Sequence, residues 1–178
     1  EMKSTGEVMG IDKEFGIAFA KAAMAAGMKL PKHGRVFLSV KDADKRQILP
    51  VARNFTDLGF AIVATDGTYE ALRSAGIDAE RVNKVHEGRP NVLDLLANRD
   101  IALVVNTPHG RAPRADDTRI RSRAVQLGVP VITTLSGAEA AVNGIRSLKG
   151  PDFDVTALQD WLAAAPTFSR SAPSAVGS

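Results

Sequence analysis

From Arg35 onward, apolar residues follow two alternating rhythms. Short unbroken runs, "VFLSV" (36–40), "FAIVA" (60–64), "IALVVN" (101–106) and "VPVITT" (129–134), are rich in β-branched residues and predict buried strands. "VNKV" (82–85) predicts a shorter one. Between them, apolar residues recur at spacings of three and four. "ILPVARNFTDLG" (48–59) puts Leu49, Ala52, Phe55 and Leu58 on one helical face, with Gly59 as terminator and Pro50 in the first turn. "YEALRSAG" (69–76), "NVLDLLANR" (91–99), "DDTRIRSRAVQLG" (116–128) and "SGAEAAVNGIRSL" (136–148) read as further helices, the last opening with Ser136 and Glu139 in capping-box spacing. Strands of about five residues alternating with helices of about ten predict an α/β fold with a mostly parallel sheet covered on both faces.

The flanks break this rhythm and divide the chain into 1–30, 31–150 and 151–178. In the first part Asp12 is placed to cap a helix carrying Phe15, Ala18, Phe19, Ala22 and Ala26, which Gly27 would end. "LPKHG" (30–34) is a linker. After Gly150-Pro151, "FDVTALQDWLAAA" predicts one more helix, and the Ser/Ala/Pro-rich "PTFSRSAPSAVGS" a mobile tail. The chain opens on Glu1 rather than Met, as a piece of a longer polypeptide would.

Composition narrows the classes. Of the 178 residues, 44% are hydrophobic and 24% charged, enough for a core. No apolar stretch approaches the roughly 18 residues of a membrane helix, and the N-terminus lacks a signal-peptide layout. The absence of cysteine removes disulfides and thiolate chemistry, and a cytoplasmic protein is expected. The net charge of +3 suits an anionic ligand. It does not amount to a nucleic-acid surface. Arg119, Arg121 and Arg123 stand two apart and splay over a helix, and no aromatic residues interleave with them.

In open parallel sheets ligands bind beyond the carboxyl ends of the strands. Four such ends, 39–45, 65–68, 106–110 and 133–137, are rich in hydroxyls, amides and glycines. In "TDGT" (65–68), Gly67 allows close backbone approach and Thr68 stands at a helix start, where free N–H groups favour phosphate. The same four residues also suit a plain turn and N-cap, and it is the four loops together that favour a ligand site. "VNKVHEGRPN" (82–91) adds Lys84, His86, Glu87 and Arg89, with Lys84 and Arg89 as phosphate partners. His33, His86 and His109 have no helix-face metal spacing, so no metal site is expected, and His86 is expected to act as a hydrogen-bonding loop residue.

Six segments in order, "STGEVMGID", "FLSVKDADK", "ATDGT", "VNKVHEGRPNVLDL", "NTPHGR" and "TTLSGA", resemble the methylglyoxal synthase-like superfamily. The fuller resemblance is to the C-terminal regulatory domain of carbamoyl phosphate synthase large chains. It implies a three-layer α/β sandwich over 31–150. It makes residues 1–30 the end of a preceding ATP-grasp half. It also implies a binding site for a regulatory nucleotide such as UMP or IMP, with its phosphate on Ser39, Lys45, Thr65, Gly67, Thr68 and Lys84 and its ribose and base by Asn106 and Thr107. The implied partners are the rest of the large chain and the glutaminase small chain, with a homo-oligomer possible. No cofactor is implied in this fragment, since ATP and its magnesium or manganese belong to the ATP-grasp halves.

The alternatives are a free-standing lyase of the methylglyoxal synthase type and an oligomerisation domain that binds no ligand. Methylglyoxal synthase uses a carboxylate base in the loop matching 83–91, where Arg89 stands here. The site is therefore expected to lack an acid–base pair and to bind without reacting. Some synthases bind ornithine through polar residues just before the Thr-Thr pair, where Val131 and Ile132 are apolar here.

Overall fold

A computed structural model of the chain describes residues 22–23, 27, 29–108 and 115–149. β1 (Arg35–Ser39) leads through a 3-10 turn (Asp42–Asp44) into α1 (Lys45–Asp57). Then come β2 (Ala61–Thr65), α2 (Asp66–Ser74), β3 (Glu80–Val82), α3 (Val92–Ala97), β4 (Leu103–Asn106), α4 (Ala115–Gln126), β5 (Val131–Ile132) and α5 (Leu135–Lys149).

Each expected element has a counterpart among these residues, but three helix starts move, and the short strand expected at 82–85 lies at Glu80–Val82 with Lys84 in the loop beyond it. The 3-10 turn passes directly into α1, with the Lys45 N–H donating to the Asp42 carbonyl. The helix therefore begins at Lys45, and Pro50 lies beyond its first turn, on an exposed face. A proline there leaves out one helical hydrogen bond. α2 begins at Asp66, so "DGT" is its first turn rather than a loop before it. α5 is capped by Thr134, whose Oγ1 accepts the Gly137 N–H at 3.1 Å, and not by Ser136.

The five strands are all parallel, in the order β3-β2-β1-β4-β5. Strand period two sends successive side chains to opposite faces. Val36 and Leu38 of β1, Ile62 and Ala64 of β2, and Leu103 and Val105 of β4 enter one apolar cluster with Ile48, Phe55, Leu72 and Ile145. Phe37, Val63 and Val104 enter a second with Val92, Leu96, Ile120 and Ala124. Helices α1, α2 and α5 thus cover one face, and α3 and α4 the other, giving three layers. Phe55 and Phe60 meet edge to face at 5.8 Å.

Most of the 1–30 segment, and all of 151–178, lie outside the described residues, as do both expected terminal helices apart from Ala22 and Ala23, which are helical. Gly27 has φ +79°, the conformation expected of a helix-ending glycine. Ala23 and Leu30 are buried in the cluster shared with α1, α2 and α5. Among the described residues no helix is long and apolar enough to cross a membrane.

β1 is central, and the chain order reverses around it, with β2 on one side and β4 on the other. Ser39 pairs in register with Asn106. The carboxyl edge beside this switch point is where a doubly wound sheet opens a crevice.

Candidate functional site

The crevice is a cleft of about 170 Å3 built by four segments. The end of β1 and its turn supply Ser39, Val40, Asp42 and Lys45, and the β2–α2 junction supplies Thr65, Gly67 and Thr68. The loop after β3 supplies Lys84, Val85 and His86, and the first turns of α4 supply Asp116, Asp117 and Ile120. All six residues to which the resemblance assigns the phosphate line this one cleft, and Arg89, the other expected phosphate partner, does not.

Thr65 is the N-cap residue of α2, but its side chain does not cap the helix. Its hydroxyl donates instead to Ser39 Oγ at 3.2 Å. The first-turn N–H groups of α2 are therefore not taken by that side chain, which favours an anion at this point. Thr68 is buried, and its Oγ1 accepts the Val40 N–H at 3.1 Å. With that acceptor site used, its proton remains a donor. Gly67 has a steric role: a Cβ there would meet Lys45 Nζ at 2.7 Å, so the missing side chain is the space the ammonium occupies.

Both cleft lysines are paired internally. Lys45 Nζ lies 2.6 Å from Asp42 Oδ1, and Lys84 Nζ lies 3.2 Å from Glu87 Oε1. The second pair is part of a closed turn. The Glu87 N–H donates to the Lys84 carbonyl at 3.0 Å, and the Lys84 N–H donates to Glu87 Oε2 at 2.9 Å. That backbone hydrogen bond, with the Lys84 ammonium and a smaller effect of His86, holds the Glu87 carboxyl below its ordinary value against opposing desolvation. The far side of the loop is fixed by Asn91. Its Oδ1 accepts the Leu93 N–H, its N–H donates to Asp94 Oδ2, and its Nδ2 donates to the Gly88 carbonyl at 2.8 Å. This capping box starts α3 and anchors the loop that carries Lys84.

The expectation of a site without an acid–base pair does not hold. His86 Nδ1 lies 2.6 Å from Asp116 Oδ2, joining the loop to α4 along the cleft wall. His86 is thus a hydrogen-bonding residue, as its loop position implied, but its partner is a carboxylate 30 residues away. Asp42, Asp116 and Asp117 outnumber the two lysines by one, so the lysines and acids lining the cleft carry no positive excess. Sequence reasoning missed these three aspartates. The paired acids opening α4 after the β4 strand end were the available signal.

Asn106 and Thr107 are buried and do not line the cleft. Asn106 Nδ2 donates to Asp117 Oδ1 at 3.0 Å, and its Oδ1 accepts from Arg121 Nε at 2.9 Å. Thr107 Oγ1 accepts the Lys41 N–H at 3.1 Å. Both residues thus brace the strand exits behind the wall. Arg89 is not brought to the cleft and lies 3.7 Å from Asp94. His109 and Gly110 lie outside the described residues, and the 133–137 segment caps α5 rather than lining the cleft.

The family model for the MGS-like domain matches residues 47–133. Residues 47–133 thus carry an MGS-like domain. The chain is 50% identical over 165 residues to the carbamoyl phosphate synthase large chain, C-terminal section, of Aquifex aeolicus, covering 90% of this chain and 31% of that protein. It is 48% identical to the carbamoyl phosphate synthase large chain of Nostoc sp. and 50% identical to that of Archaeoglobus fulgidus, in each case over 90% of this chain and 15% of the relative. The chain thus spans about a third or less of the length of these relatives. The crystal structure of methylglyoxal synthase from Elizabethkingia anophelis superposes with a TM-score of 0.54 at 16% identity, over 82% of this chain and 97% of that one. At that identity the likeness is one of fold, and it agrees with the five-stranded parallel sheet described above.

Proposed function

We propose that this chain is the effector-binding section of a carbamoyl phosphate synthase large chain and that its cleft holds the phosphate of a nucleoside monophosphate such as UMP or IMP. One observation carries the reading: Ser39, Lys45, Thr65, Gly67, Thr68 and Lys84 converge from three strand ends on one cleft, beside an uncapped helix start. Hydroxyls, helix-start N–H groups and two ammonium groups supply the donors that a phosphate accepts from.

In this reading Asn106 and Thr107 act at the ribose and base end by holding the strand exits behind the cleft. The section is regulatory. Effector binding shifts a distant site through differential contacts, typically by about 1–3 kcal/mol. Synthesis of carbamoyl phosphate, ATP and its metal, and contact with the glutaminase chain belong to the remainder of a cytoplasmic enzyme of arginine and pyrimidine synthesis.

The test is calorimetric titration of UMP and IMP into the chain and its Lys84→Ala variant. Hydrogen bonds to charged groups contribute about 1.5–3 kcal/mol, so the variant should bind roughly ten- to a hundredfold more weakly. Equal affinities would move the phosphate elsewhere, and no binding by the wild type would remove the nucleotide reading.

The His86–Asp116 pair favours a second reading, a lyase acting on a triose phosphate held in the same cleft. Such a reaction needs a carboxylate free to take a proton from carbon. Here Asp116 is engaged by His86, Asp117 by Asn106 and Asp42 by Lys45. Incubation with dihydroxyacetone phosphate separates the readings, because sustained turnover would establish the lyase.

A further inference from the structure

Helix α5 is buried on more than the side it turns to the core. Ala138, Ala141, Val142, Ile145 and Leu148 enter the cluster shared with α1 and α2. α1 lies along one flank, where Arg146 Nη2 donates to Asn54 Oδ1 at 3.1 Å and Lys149 Nζ donates to the Leu58 carbonyl. At about 100° per residue, Ala140 and Gly144 stand about 120–160° round the helix from Arg146, on the opposite flank. Yet Ala140 is 6% exposed and Gly144 is buried as well. Ala140 belongs to neither apolar cluster, and α1 is the helix that packs along α5 among the described elements.

We infer that this flank of α5 is a docking surface for the chain's own N-terminal segment, residues 12–23. Ala22 and Ala23 are helical, and Gly27 has the left-handed φ that ends a helix. Ala23, 8% exposed, and Leu30 enter the same cluster as α5. The two stretches also end at the same edge of the sheet. Lys149 stands over the Phe60 ring at 5.2 Å, just before β2, and Leu30 comes shortly before β1. A helix running to Gly27 and α5 running to Lys149 therefore lie side by side in one direction. Ala18, Ala22 and Ala23 facing Ala140 and Gly144 let two axes approach to the near end of the 8–10 Å range of packed helices. The α/β unit thus holds the polypeptide that leads into β1 as one more helix of the α1–α5 layer. Its boundary then lies before Asp12 and not at residue 30.

The chain contains no cysteine, so Ala140→Cys introduces a single thiol. In the full chain this thiol should react with a maleimide about tenfold or more slowly than that of Val125→Cys, at a position 68% exposed; tenfold corresponds to a closed state favoured by about 1.4 kcal/mol. The protection should not depend on protein concentration. Adding Ala23→Glu, which puts a carboxylate into the seam, should raise the rate toward that of the control, and adding Leu158→Glu in the C-terminal segment should not. A second variant leaves the seam intact. Ala22→Cys with Ser147→Cys, both at half-buried positions, should be joined within one chain by a bis-maleimide whose reach matches packed helices. A fast thiol at Ala140→Cys in the full chain overturns the proposal. Release by Leu158→Glu instead of Ala23→Glu also overturns it and gives the flank to the C-terminal segment. Joining only between two chains overturns it in favour of a second copy. If Ala23→Glu does not fold, the cross-link within one chain supports the proposal and its absence overturns it.

Discussion

Gly67→Ala should move stability and binding in opposite directions. Gly67 is the second residue of α2, and glycine in a helix costs roughly 0.5–1 kcal/mol relative to alanine. Its φ does not fall in the left-handed region, so alanine is not strained there. The added Cβ would meet only the end of the Lys45 side chain, at 2.7 Å from Nζ and 3.4 Å from Cε. A flexible ammonium can move away without disturbing the core. The variant should therefore melt at the same temperature or a few degrees higher, since 1 kcal/mol shifts a domain of this size by roughly 2–8 °C. The space it fills, however, is where Lys45 enters the cleft. Displacing that ammonium should remove one charge-assisted contact of about 1.5–3 kcal/mol and weaken UMP roughly ten- to a hundredfold. The measurement pairs thermal denaturation of the chain with calorimetric titration of UMP. Unaltered affinity would mean that Lys45 does not reach the ligand past Gly67. A fall in melting temperature would mean that the first turn of α2 needs glycine for its backbone.

Thr134→Ala should destabilise the chain by about 1 kcal/mol through loss of the α5 cap, and Ser136→Ala should be nearly silent; equal losses in chemical denaturation would restore Ser136 as the cap. The folded-state value of Glu87 is lowered, so its contribution to stability is present above its ordinary 4.5 and fades as pH falls through the folded value. Lys84→Ala keeps the backbone N–H that is the largest cause, so it should flatten that acid limb only in part in pH-dependent melting, and an unchanged limb would show that the ammonium adds nothing to the fold.

Elements whose signal is local were legible in the sequence. β1, β2 and β4 show as apolar runs because both faces of the sheet are covered. That Ser39, Thr65, Gly67 and Thr68 would share a cleft was legible because they cluster at strand ends. Pairings set by distance in space were not. Nothing near Asp116 in the chain points to His86, and nothing near Asn106 points to Arg121. Helix starts slipped because capping is a competition between neighbours. Thr134 and Ser136 offer the same hydroxyl two residues apart, and only backbone direction decides which meets the Gly137 N–H. Thr65 and Thr68 were read as loop residues, but they close a strand and fill a helix turn.

The buried hydroxyl of Thr68 has a consequence for comparing related chains. It holds the Val40 N–H as the chain leaves β1, so a valine there would leave a buried donor unmatched at a cost of about 1–3 kcal/mol, with or without a ligand. Selection for folding alone would retain the threonine. Lys84 holds up no such frame, since its ammonium is partly exposed and, among the described residues, pairs with Glu87. On the effector-binding proposal, a lineage that had lost such binding would keep Thr68 as an architectural fossil while Lys84 drifted. The lysine, not the threonine, is then the position at which inheritance of the fold and inheritance of the proposed regulation can be told apart.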